Sequence, residues 1–394
     1  MQPIPAGRFD VVAKLSDVAR LAGVGVGTAS RAISGKGYVE DRTRDRVLAA
    51  AAELEYRPNA AARALRERRT RVVGLLLPDI SNEFYTASAA VLQTVLDAAG
   101  FQLLVATTGN DPATERHALA AMLDRQVDGI VHVPVDPGAE LPTDVPIVQL
   151  NRRSPDAAAP AVLSDDIRGV AELTTAVIGA GHTVLAVVVG PPELSTSRDR
   201  LAGYRRAVSA AGIPETGLDD PAPRDRRSRV LTFPFTTDGG ASAVARIADD
   251  PPRALIALSS RLVMGVLREC GERGIRIPDD LSVAGLGDPE WFAIWQPGLT
   301  TYAPPLPEMG RRAAQTLLAL MDYDAAPPPP GPMLLPGELR VRGSVRGLTD
   351  TTAPYRRPTP PPAAAVDTAR TQRVIAKCSI DRELSTDIDR PAGR

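Results

Sequence analysis

Apolar residues between Lys14 and Tyr56 fall at helical intervals. Leu15, Val18, Ala19 and the pair Leu21–Ala22 predict a first helix, capped by Ser16 and ended by Gly23. A second helix follows to about Ile33, and SGKG makes a turn. In DRTRDRVLAAAAELEY, Val47, Leu48, Ala51 and Leu54 predict the inward stripe of a third helix. Pro58 breaks that helix, and Asn59 can cap a short Ala/Arg helix to about Arg66, whose one prominent apolar side chain is Leu65. Three short helices in so brief a segment predict a compact all-α head, too small for an enzyme core.

From Val72 the period changes. VVGLLLP, FQLLVATT, GIVHVP, IVQL, VLAVVVG, ALIALS and LSVAGLG are short apolar runs bounded by turn residues. Helical stretches such as FYTASAAVLQTVLDAAG and ERHALAAMLDRQ separate them. Near-continuous apolar strands alternating with helices predict parallel sheets covered on both faces. The stretch is longer than one sheet takes, so two similar α/β subdomains are expected, with a cleft at the carboxyl ends of their strands. After Leu348 the pattern dissolves into TAPYRRPTPPPAAAVDTARTQR and beyond, which predicts a mobile Pro/Ala-rich tail over 349–394.

Composition refines this picture. The chain has 394 residues, 44% hydrophobic and 24% charged, as expected of a globular protein of more than one domain. No apolar run is long enough to span a membrane. MQPIPAGRFDVVAKLSD lacks a basic region ahead of an apolar core, so no secretory signal is predicted. Cys270 and Cys378 make no disulfide framework, which fits a cytoplasmic location. His117, His132 and His182 are scattered, so neither a metal nor a cofactor is expected. The net charge of −1 conceals an asymmetry: residues 1–71 carry a net +6, leaving −7 on the remainder. A basic head on an acidic body points to a polyanion partner for the head.

The head contains GVGVGTASRAISG, which begins like a phosphate-binding turn. A dinucleotide fingerprint needs G-x-G-x-x-G between a strand and a helix. Here Gly23, Gly25 and Gly27 run G-x-G-x-G after a helix, and Thr28 takes the next place. SGKG likewise lacks the spacing and strand of a P-loop. Asp165–Asp166 and Asp279–Asp280 read as capping and turn residues rather than catalytic pairs. No catalytic constellation stands out, and the chain is not expected to be an enzyme.

LSDVARLAGVGVGTASRAISGKGYVEDRTRDRVLAAAAELEYRPNAAARAL, followed in order by DISNEFY, VDGIVHVP, RLAGYRRA, IPDDLSVAGLGDPE and LTTYAPPLPEMGRRAAQTLL, resembles the LacI family of bacterial transcription regulators. The resemblance runs from about Lys14 to Leu348. It implies an N-terminal helix-turn-helix head with a hinge helix, joined to a two-lobed α/β periplasmic-binding-protein-like body. The implied boundaries are an extension over 1–13, the head over 14–57, hinge and linker over 58–71, the body over 72–348 and the tail over 349–394. The implied function is a homodimeric regulator, most simply a repressor, on a pseudo-palindromic double-stranded DNA operator under control of a small effector.

In the family pattern Val26 and Gly27 are the first base-reading positions, with Ser30 and Arg31 one turn further. Arg31 is the candidate for a bidentate contact to guanine. Gly27 departs from the usual polar residue, and Gly25 replaces a serine that caps this helix and meets a phosphate. Leu15, Ser16, Thr28, Tyr38, Thr43, Tyr56, Asn59 and Arg63 complete the implied DNA contacts. Ala62 and Leu65 match hinge positions that enter the minor groove and kink the duplex.

For the effector the resemblance points to Arg200, with Phe84 and Phe235 as walls and Asp165, Thr196, Ser259 and Asp288 as further contacts. An ion pair with Asp199 or a nearby acid is the plainer alternative for Arg200. Ser259–Ser260 replaces the usual Asn-Asp pair, and Gly287 the first aspartate of a G-F-D-D turn, which makes a sugar effector less secure. Two alternatives stay open: a solute-binding protein of the same body fold, and a regulator that no longer answers to a ligand.

Overall fold

The computed structural model describes residues 13–35, 37–56, 69–138, 140–155, 158–217, 225–322 and 331–348. The head comprises α1 (Leu15–Leu21), α2 (Val26–Ser34) and α3 (Asp41–Glu53). Val18, Ala19 and Ala22 of the first, Ala29 and Ala32 of the second, and Val47 and Ala50 of the third form its core with Val39. Small side chains at these positions let three short helices approach closely. Two details differ from the sequence reading. Ser16 lies inside α1 and does not cap it; Lys14 is the cap residue, and its backbone N–H donates to the Asp17 carboxylate at 3.0 Å. Leu21 and Leu48 are exposed, at 48% and 45%, because the inward stripe runs through their neighbours Ala22, Val47 and Ala50.

The body holds two six-stranded sheets. The first lobe contains β1 (Val72–Leu77), α4 (Glu83–Ala98), β2 (Gln102–Thr107), α5 (Pro112–Asp124), β3 (Gly129–His132), β4 (Ile147–Leu150) and β5 (Ala161–Ser164). The second contains α6 (Asp166–Gly179), β6 (Val184–Val189), α7 (Ser195–Ala210), β7 (Arg227–Thr232), α8 (Thr237–Arg246), β8 (Ala254–Ala257), α9 (Ser260–Glu272), β9 (Ser282–Leu286), α10 (Trp291–Ile294) and β10 (Thr300–Ala303). The chain then returns to the first lobe with α11 (Leu306–Met321) and β11 (Pro332–Leu335), and ends in the second with β12 (Glu338–Arg340).

The strand orders are β11-β5-β4-β3-β1-β2 and β12-β10-β9-β8-β6-β7, parallel except where β12 pairs antiparallel with β10. The apolar runs follow from burial on both faces. Val73, Leu75 and Leu77 of β1 pack under α4 and α11, whereas Leu76 packs on the opposite face with Leu119 and Met122 of α5. In β6, Ala186 and Val188 face the cluster holding α8 and α9, while Leu185, Val187 and Val189 face α6 and α7. Cys270 is buried in α9, and burial pushes its thiol up to about 12, which leaves it unreactive. Among the described residues no helix is long and apolar enough to cross a membrane.

Candidate functional site

Two surfaces carry the candidate chemistry. On the head it is the N-terminal edge of α2. Gly25 is the cap residue, in extended conformation, with no side-chain bond to the helix. Val26, Gly27 and Arg31 are exposed beside it, Val26 at 51%. The Arg31 guanidinium donates to Thr28 Oγ1 at 3.3 Å, so it folds back toward the start of the helix. Tyr38, between α2 and α3, is 91% exposed, and Ser16 is also exposed. Thr28, Ser30 and Thr43 are half-buried, and Leu15 and Tyr56 pack against the helical core. Asn59, Ala62, Arg63 and Leu65 lie outside the described residues.

The second surface is a cleft of about 500 Å³, counting its open mouth, between the two lobes. It lies where both sheets present their carboxyl ends, the place where parallel strands deliver loops and helix N-termini. Pro78 and Asp79 follow β1, Asn110 follows β2, and Asn151 and Arg152 follow β4. From the other lobe, Thr196 opens α7, Phe235 follows β7, Ser259 and Ser260 follow β8, and Leu286–Gly287 ends β9.

Arg200 sits on the cleft floor, 4% exposed. Its Nε donates to Asp166 at 2.7 Å and its Nη1 to the Leu258 carbonyl at 2.9 Å, while its Cζ stands over the Phe235 ring, 5.6 Å from the centroid. Phe235 can lie there because Gly190, just after β6, has no Cβ; one would stand 2.3 Å from the ring. The acid paired with Arg200 is therefore Asp166, not Asp199, which takes two bonds from Arg153 at 2.8 and 3.2 Å. Asp166 is thus no turn residue but a buried counter-ion. Arg153 arises from the first lobe and Asp199 from the second, so this pair spans the cleft, as do Arg261–Asp79 at 3.6 Å and Ser260 Oγ to Asn82 Oδ1 at 3.5 Å.

Phe84, Thr196, Arg200, Phe235 and Ser259 line the cleft. Asp165 and Asp288 are not among its lining residues. Asp165 caps α6, accepting from the Arg168 backbone N–H at 3.2 Å. Asp288 is turned to β12 and its flank, where Arg340, Arg342 and Thr301 donate to it at 2.5 to 2.8 Å. Burial alone would raise its pKa, yet these donors hold the carboxyl below the usual aspartate range. Gly287 has φ +96°, and a Cβ there would stand 3.1 Å from the Ser260 Cβ, so a side chain at this position is strained and crowds Ser260.

Sequence reasoning passed over Asn110, Asn151 and Arg152. Each stands just past the carboxyl end of a strand, and that position is the only signal they carry. The two asparagines have φ of +60° and +63°, a region asparagine tolerates better than most residues.

Comparison with known proteins agrees with this geometry. The model for bacterial regulatory proteins of the lacI family matches residues 14–59, and that for the periplasmic binding protein-like domain matches residues 174–345. The HTH-type transcriptional regulator DegA of Bacillus subtilis (strain 168) is 31% identical over 309 residues, 76% of this chain and 89% of DegA. The solved transcriptional regulator CelR–cellobiose complex is 29% identical with a TM-score of 0.61, over 84% of this chain and 99% of that one. The lac repressor dimer bound to operator and the anti-inducer ONPF shares the fold at 23% identity and a TM-score of 0.72, over 85% and 99% of the two chains. The chain belongs to the LacI family of bacterial regulatory proteins, and is a DNA-binding transcriptional regulator with a helix-turn-helix head and a periplasmic-binding-protein-like body.

Proposed function

We propose that the protein acts in the cytoplasm as a homodimeric repressor, gripping a pseudo-palindromic operator with two heads under control of a ligand held between the lobes. The observation that carries this reading is the exposed edge of α2. In a helix-turn-helix the second helix enters the major groove with its N-terminal residues at the base edges. Val26, Gly27 and Arg31 stand clear of the core at that end. Arg31 offers paired donors to guanine, Val26 an apolar contact to a thymine methyl, and Ser30 a hydroxyl one turn on. Leu15, Ser16, Thr28, Tyr38, Thr43, Tyr56 and Asn59 set register on the phosphates, and Ala62, Arg63 and Leu65 serve the kinked centre.

The division follows the proposed roles: head over 14–57, hinge and linker over 58–71, body over 72–348. Phe84, Thr196, Arg200, Phe235 and Ser259 contact the ligand. Control arises by linkage, because a ligand that binds the open and closed arrangements of the lobes unequally shifts the population competent for operator binding. The test is selection of bound duplexes from a random pool. Enrichment of a palindrome with a flexible pyrimidine–purine centre is expected; recovery of no common sequence would refute operator recognition.

A further inference from the structure

Guanidinium groups around the cleft are matched to carboxylates with one exception. Arg200 has Asp166, Arg153 has Asp199, and Arg261 has Asp79. Arg152 has none among the described residues. It is 4% exposed, and its Nη1 donates to two neutral oxygens, Asn110 Oδ1 at 3.2 Å and the Pro134 carbonyl at 3.3 Å. Its Nε is buried without a hydrogen-bond partner. Of the other cleft residues, the Thr196 hydroxyl is buried and unbonded in the same way, and the Asn151 Oδ1 is a buried acceptor without a donor. A buried charge without a counter-ion is costly, and buried polar atoms seldom go unpaired. The Arg152 Nε and the Thr196 hydroxyl are thus unmet donors lining one cavity from its two lobes, and with no carboxylate on Arg152 they mark the place of an absent anionic partner.

We infer that the cleft takes a small molecule bearing a carboxylate or phosphate group, held by Arg152 with the Thr196 hydroxyl as a further donor. This rests on the cleft being the ligand site. The ligand's remaining body packs against Phe84 and Phe235, the apolar walls of the same cavity. Gly287 and the Ser259–Ser260 pair fit the same chemistry, since an acid at any of these positions would repel the anion across the cavity.

Matched neutral and acidic probes test it by calorimetry on the full chain at fixed ionic strength: glucose, gluconate and glucose 6-phosphate, then ribose and ribose 5-phosphate. At least one acidic member should bind about tenfold or more tighter than its neutral counterpart. Gluconate against the sugar phosphates separates a carboxylate from a phosphate ligand. Asn151→Asp, a substitution of equal size at a position aspartate also tolerates, sets a carboxylate beside Arg152 and should weaken the acid's binding about tenfold or more. Arg152→Gln should do the same, and Arg152→Lys should retain part of it. Binding at the basic head is recognised because these variants leave it untouched.

Neutral members binding as tightly as acids, no acid binding up to about 10 mM, or an acid whose binding Asn151→Asp leaves unchanged would each overturn the inference. Operator affinity separates this from the regulatory reading. An acid that binds through Arg152 without altering operator affinity upholds the anion site and counts against ligand control. A neutral sugar that alters operator affinity does the reverse.

Discussion

Arg31 and Gly27 act as a pair. A Cβ on Gly27 would stand 3.9 Å from the Arg31 Nη1, ordinary van der Waals contact, so a longer side chain there reaches the guanidinium that lies back along α2. Gly27→Gln sets an amide beside the guanidinium at the groove. The expected outcome is a changed base preference in repeated duplex selection, with Arg31→Ala costing about 1–3 kcal/mol of discrimination at one base pair. Unchanged preferences for the glutamine variant would place α2 outside the groove. In the body, Asp288 joins β12 to the end of β9 through Arg340 and Arg342, with its side chain 5% exposed. Asp288→Asn removes the charge at constant size and should lower stability by about 1–3 kcal/mol in urea denaturation. The folded-state pKa is depressed, so this carboxylate's contribution is present above its unfolded value near 3.9 and is lost as pH falls through the lower folded value. The deficit of the variant should therefore shrink in acid. A deficit that stays constant down to pH ~2 would exclude the ionic bonds as its cause.

Among the elements, α2 is the one whose cap is weakest. Gly25 has φ −72°, and a Cβ there meets nothing within 4 Å, so Gly25→Ser fits without strain. A serine there accepts from the helix N–H groups, adding a few tenths of a kcal/mol to stability. It also restores a phosphate donor, so affinity should rise by a similar factor on specific and non-specific duplexes. A rise confined to one sequence would make the contact base-reading instead. The elements differ in how far their own residues announce them. β1 and β6 are legible as apolar runs because both faces are buried. β7 is not, since RSRVLT carries Arg227 and Arg229, which are buried only because Asp250 from the loop after α8 binds both. β11 and β12 are short edge strands with exposed positions: β12 is ELR, with no apolar run, and β11, PMLL, is too short and proline-flanked to stand out. α1 and α3 are legible as helices, but the exposure of Leu21 and Leu48 is not, because a one-position rotation of a short stripe leaves the pattern almost unchanged.

At the scale of the whole molecule, the charge asymmetry separates the two binding events. DNA binding by the basic head should weaken by about a thousandfold or more between low and moderate salt if at least six phosphates are contacted. Ligand binding in the cleft involves one anionic group and should change far less. Parallel salt titrations of operator affinity and of calorimetric ligand affinity compare them, and equal slopes would contradict the separation. The chain's path makes the cleft possible: it crosses between lobes after β5, after β10 and between β11 and β12, so each lobe holds segments distant in sequence. By itself the sequence's periodicity determined the basic three-helix head, the parallel two-lobed body and the cleft at the strand ends, because local periodicity and turn residues are properties of neighbouring positions. Only the tertiary structure decided that Arg200 answers to Asp166, that Asp165 and Asp288 turn away from the cleft, and that Arg152 stands without a carboxylate. Those outcomes depend on which side chains meet across lobes and loops, and pairing between residues far apart in the chain leaves no local trace.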